Sequence, residues 1–175
     1  DERDKMRREL LISDGDMSFI SSDSEDFKWI SMFAEGEIPQ GLITGIEDVD
    51  NHWRFKKNFT VINGHSNIGK TTFATYLQTA SSMRHGWKWL MYTSENKTAS
   101  QKMKLMTFAM GRPIKDMSYQ ERKRAFEWVN EHFTFIDNKS VYSFSDILIF
   151  AEKLMKNQPL DGLFIDPYNS LRRDL

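Results

Sequence analysis

Between Gly64 and Thr71 the chain reads GHSNIGKT, which fits G-x-x-x-x-G-K-[ST], the spacing that lets a short loop cradle phosphate groups. Glycines at both ends of such a loop allow the backbone amides to turn into one concavity, and the first turn of a following helix adds unpaired N–H groups and a positive dipole end. An anion fits there. Lys70 would reach the β- and γ-phosphates as a point charge, and the Thr71 hydroxyl would ligate a magnesium ion that keeps most of its waters. The expected nucleotide-binding set is therefore Gly64, His65, Ser66, Asn67, Ile68, Gly69, Lys70, Thr71 and Thr72. His65 stands at a variable position and is expected to present its amide, not to catalyse.

Two carboxylates complete the chemistry. Asp166 ends an apolar strand, Gly162-Leu-Phe-Ile-Asp166, where a carboxylate can hold magnesium through water. Glu95 follows another apolar run and is placed to deprotonate a water lined up with the γ-phosphate. Plainer readings stand beside these: a helix N-cap or turn residue ahead of Pro167 for Asp166, and a solvated loop carboxylate for Glu95. Asp137 also ends a strand and is the weaker claimant to the base.

The elements that must position these residues follow from periodicity. Phe59-Thr-Val-Ile62 is expected as a buried strand leading into the loop, with Phe73, Ala74, Leu77 and Ala80 on the inner face of a helix from Lys70 to His85, closed by Gly86. Trp89 to Ser94 reads as a strand, Ala99 to Met110 as a helix closed by Gly111, and Phe133 to Ile136 as a strand. Capping boxes at Ser118-Tyr-Gln-Glu121 and Ser143-Phe-Ser-Asp146 open two further helices. The first carries Phe126, Trp128 and Val129; the second buries Ile147, Phe150, Ala151, Leu154 and Met155. Strands alternating with helices predict an α/β fold, a parallel sheet flanked by helices, with Gly64, Glu95 and Asp166 along its carboxyl edge.

Upstream, eight of the first ten residues are charged, and Ser and Asp dominate from Ser13 to Asp26, so residues 1–26 read as a linker. Phe27, Ile30, Phe33 and Ala34 predict a short amphipathic helix, which with the turn at Gly36 and Pro39 makes residues 27–40 a second segment. Its apolar face would cap its own core or dock on a neighbouring subunit. Residues 41–175 form the expected catalytic domain.

Composition narrows the classes. A net charge of −1 over 175 residues is no general nucleic-acid-binding excess, and the absence of Cys excludes disulfide scaffolds, thiol catalysis and cysteine-ligated metals. No apolar run reaches a membrane span, so a soluble, intracellular location is expected. Trp53 and Phe55 are expected to pack the domain edge; Lys97, Lys102 and Lys104 to face water.

Taken in order, Gly41-Leu-Ile-Thr-Gly45, Asp50, the phosphate loop, Tyr92-Thr-Ser-Glu-Asn-Lys97, Gly111-Arg-Pro113, Trp128-Val-Asn-Glu-His-Phe133 and Leu163-Phe-Ile-Asp-Pro-Tyr-Asn169 resemble the RecA-type motor domain of ring-shaped replicative helicases. The resemblance spans about residues 37–175 and is nearest to the Twinkle-like and phage primase-helicase branch of the DnaB-like family. It implies a P-loop NTPase with a partial RecA-like core, ATP (or another NTP) and magnesium as cofactors, and hydrolysis within a hexamer. Lys70 and Thr71 would act on nucleotide and metal, Glu95 as the catalytic carboxylate and Asp166 on magnesium. Partners implied are single-stranded DNA, contacted through parts beyond this chain, and a primase domain. Such a protein would work in a bacterial or phage-infected cytoplasm, or in an organellar matrix if Twinkle-like.

A complete motor of this kind continues past the magnesium Asp, so these residues are expected to be the N-terminal part of a longer motor domain. Arg172 and Arg173 do not match the family's arginine finger and read as surface residues. Competing functions are another RecA-type ATPase, such as a recombinase or a phage packaging ATPase, and a non-hydrolysing, nucleotide-gated assembly or loader module. The Glu95 context with Ile165-Asp-Pro167 argues against the first, and the presence of Glu95 against the second.

Overall fold

Short apolar runs separated by helical-period segments are satisfied by parallel strands joined through helical crossovers, and the computed structural model, which describes residues 23–38 and 40–173, adopts that arrangement. The chain divides into two compact units, residues 1–40 and 41–175. In the first, α1 (Asp23–Ala34) starts within the stretch expected as linker, whose remainder lies outside the described residues. Phe27, Ile30 and Phe33 on α1 are exposed.

The second unit opens with residues 41–57. Leu42 and Phe55 form an antiparallel bridge, and the intervening turn contains α2 (Glu47–Asp50). The Asp50 carboxylate accepts from the amides of Thr44 (2.6 Å) and Gly45 (3.0 Å). Burial opposes its charged form, but the amide and hydroxyl of Thr44, the Gly45 amide and nearby Arg54 together hold its carboxyl below the usual range. Phe55 is buried against Trp87 and His85, and the His85 imidazole Nε2 lies 2.8 Å from the Ile43 carbonyl, so this turn is pinned to the end of α3 (Lys70–His85). Phe55 thus packs the domain edge as expected.

Among the described residues three strands form the sheet: β1 (Trp89–Thr93), β2 (Phe133–Phe135) and β3 (Gly162–Asp166), in the order β2-β1-β3, all parallel. Trp89 pairs with Gly162, where any Cβ would strike the indole ring, so the glycine fixes the register that brings Thr93 opposite Asp166. Between the strands run α4 (Thr98–Met110), α5 (Tyr119–His132) and α6 (Phe144–Met155). Both capping boxes form, and Gly86 and Gly111 close their helices in the left-handed conformation.

Met91, Leu105, Met106, Ala125, Val129 and Phe133 make the core between the sheet and the α4–α5 pair. Leu105 and Val129 have no exposed surface, a burial worth roughly 1.5–3 kcal/mol for each side chain. Leu90, on the alternate face of β1, borders a groove with Tyr142, Phe150 and Leu154, so helices flank both faces.

Several expected contacts differ. Phe59 to Ile62 is not a strand; Phe59 is 83% exposed and Val61 70%. Within the described residues β3 has β1 on one side only, and no ladder reaches the 59–62 segment, so its apolar side chains have nothing to bury against. Phe73, Phe126 and Met155 are likewise exposed, and Phe150 is only partly covered. The inner face of α3 is instead largely polar, with Thr75, Gln78, Thr79, Ser81 and Ser82 buried beside Ala74, Leu77 and Ala80. Its hydroxyls donate to backbone carbonyls within 2.7–2.9 Å. Both Gln78 amide atoms, however, are buried without a partner.

Candidate functional site

Residues 63–69 form an exposed loop ahead of α3. Asn67 adopts a positive φ of 61°, and Gly69, at φ 95°, occupies a conformation that a side chain would strain. Ile68 folds over Gly64, where a Cβ would lie 2.5 Å from the Ile68 Cδ1. The first helical hydrogen bond runs from the Phe73 amide to the Gly69 carbonyl, and Gly69 offers no capping side chain, so the amides of α3's first turn are directed out of the helix end. The Lys70 ammonium donates to the carbonyls of Gly64 (2.9 Å) and His65 (2.6 Å), closing the loop on itself.

Thr71 is the hinge of the arrangement. Its hydroxyl donates to the Asp166 carboxylate at 2.7 Å, joining the start of α3 to the end of β3 across 95 residues of sequence. Parallel pairing carries the site further. The Ser94 amide donates to the Asp166 carbonyl at 3.2 Å, and the buried Ser94 hydroxyl has no partner. Glu95 comes next, exposed on the turn between β1 and α4. Thr71 and Asp166 thus meet directly, Lys70 is engaged with its own loop, and Glu95 stands on the turn adjoining Asp166.

The remaining candidates separate from this group. The Asp137 carboxylate accepts from the Lys139 amide (3.2 Å) and pairs with its ammonium (3.4 Å) in a turn after β2. Arg172 donates to the Asp146 carboxylate at 3.0 Å, away from the loop, and Arg173 is exposed. Lys102 is not simply solvated: its ammonium donates to Asn130 at 2.6 Å and lies over the Phe126 ring, 4.9 Å from the centroid. Sequence reasoning missed Asn138, whose side chain bonds two carbonyls of the Glu95 turn; nothing in its spacing marks it.

Among the described residues no cluster of three or more His, Asp or Glu could hold a metal by itself. The donors that converge are one hydroxyl and one carboxylate, oxygen ligands of the kind magnesium takes when it retains water and binds substrate phosphates. They fit that ion and not a softer one. No helix among the described residues is long and apolar enough to cross a membrane.

No protein-family model matches the chain, and no solved structure matches it. It is similar to the Twinkle homolog protein, chloroplastic/mitochondrial, of Arabidopsis thaliana, 28% identical over 143 residues, which cover 75% of this chain. The matched part amounts to 20% of that protein's length. The similarity lies within a chain whose fold is α/β, with a three-stranded parallel sheet flanked by helices.

Proposed function

We propose that the chain is the nucleoside triphosphate-binding and hydrolysing part of a replicative DNA helicase motor. The observation that carries this is the 2.7 Å contact between Thr71 and Asp166, which puts the phosphate loop's hydroxyl and a strand-end carboxylate at one point. The loop amides and the first turn of α3 receive the phosphates. Lys70 exchanges its two loop carbonyls for phosphate oxygens. Thr71 and Asp166 would hold magnesium, which when bound neutralises charge on the triphosphate. Glu95 accepts the proton of the attacking water.

In this proposal ATP is the substrate, the motor works as a hexameric ring, and single-stranded DNA and a primase domain are engaged by parts outside these residues. The same reading makes residues 41–175 the beginning of a longer motor domain and puts the protein in a bacterial or phage-infected cytoplasm or an organelle.

Calorimetric titration with ATP and magnesium tests the binding step. Lys70→Ala removes one charge-assisted contact to phosphate, so affinity should fall roughly ten- to a hundredfold. Equal affinities of variant and parent would remove the loop from the mechanism.

A further inference from the structure

An exposed catalytic carboxylate cannot be aimed by packing, so whatever holds Glu95 must act on its backbone. The turn that carries it is bound at both ends. On one side Ser94 donates to the Asp166 carbonyl at 3.2 Å; across the turn the Thr93 hydroxyl lies 3.5 Å from the Asn96 carbonyl. The third tie comes from another strand. Asn138, three residues beyond β2, donates through its side-chain nitrogen to the carbonyls of Thr93 (3.0 Å) and Asn96 (3.4 Å). Those two carbonyls bracket Glu95.

A primary amide carries two N–H groups on one nitrogen and can serve both acceptors, which a carboxylate of the same shape cannot. Asp137 and Lys139 close the turn that presents Asn138. β1 is the central strand, so its exit turn is held from β3 by a main-chain bond and from the β2 side by this amide.

We infer that Asn138 is a positioning residue for Glu95, fixing the turn from which the carboxylate reaches the attacking water. The inference rests on the reading of Glu95 as the base. It needs no contact between Asn138 and nucleotide.

The test uses Asn138→Asp, nearly isosteric and on an exposed turn, in the full-length protein. Amide hydrogen exchange over residues 94–97 should accelerate roughly tenfold, with the thermal midpoint unchanged. In turnover, kcat should fall roughly ten- to a hundredfold while KM stays within about twofold. In a Glu95→Gln background the same change should cost nothing further, because Asn138 acts through Glu95.

Unaltered exchange at residues 94–97 would overturn the inference whatever the rates. So would a full further loss of rate on top of Glu95→Gln, since Asn138 would then act elsewhere. If exchange accelerates while Glu95→Gln and Asn138→Asp both turn over normally, Glu95 is not the base and the positioning role falls with it. That outcome is recognisable, because nucleotide affinity and its loss in Lys70→Ala would stand untouched.

Discussion

Asp166 ends β3 and Glu95 stands on the turn after the adjoining β1, yet the proposed chemistry asks different things of them. Glu95→Gln keeps size and hydrogen bonding but removes the base, so nucleotide affinity should persist while hydrolysis drops by about 10²–10⁴-fold. Asp166→Asn alters the partner of the Thr71 hydroxyl and should impair magnesium-dependent binding and turnover together. Parallel titrations and phosphate-release rates separate the two, and identical phenotypes would collapse the distinction. The turn before α3 and the strand-end place of Asp166 were legible in the sequence because glycines at fixed spacing and an apolar run closed by a carboxylate are local patterns. Asn138 was not. Its acceptors are main-chain carbonyls, which every residue carries, so only the packing of β1 beside β2 reveals the contact.

The helices and the three strands of the sheet fall close to the boundaries that periodicity and capping suggest, since both boxes and both closing glycines are local signals. The segment from Phe59 to Ile62 fails for the opposite reason: a strand needs a partner, and its composition cannot say whether one is present. Met155 and Phe126 fail because helical period identifies an apolar stripe but not its width. On α3 Ala74, Leu77 and Ala80 are buried as expected, but polar residues join them, for the Thr75 and Thr79 hydroxyls bond back to their own helix and so enter the interior. Gln78 has no such outlet. Replacing it by Met, similar in volume, should stabilise the fold by about 1 kcal/mol, since a desolvated amide is removed. Scanning calorimetry should register a rise of roughly 2–4 °C, and a fall would mean that the amide is satisfied.

Across the molecule, acid sensitivity among the described residues is concentrated in carboxylates that the fold keeps ionised. Besides Asp50, Glu121 is held low by the Ser118 amide and hydroxyl of its capping box and by Arg112, and Glu131 by Lys88. Each has a folded value below its unfolded one. The stabilisation they provide is therefore complete above the ordinary carboxylate range, about pH 4, and disappears as pH falls through the lowered folded values, where the unfolded chain binds more protons. Thermal midpoints should drop between pH 6 and pH 3.5. Asp50→Asn should be less stable than the parent at pH 6 but lose less on acidification; parallel curves would show that the Thr44–Asp50 turn contributes nothing through charge.

The bond between Thr71 and Asp166 also sets an order of events. Its partners are 95 residues apart, and Asp166 reaches its place only when β3 pairs with β1. Local turns and helices, including the loop at residues 63–69 and α3, close over short distances and early, whereas a contact of such separation waits for the intervening chain to settle. During synthesis the Lys70 side of the site emerges long before its carboxylate. The Thr71–Asp166 pair is thus among the last features to assemble, and its formation reports that the sheet has closed.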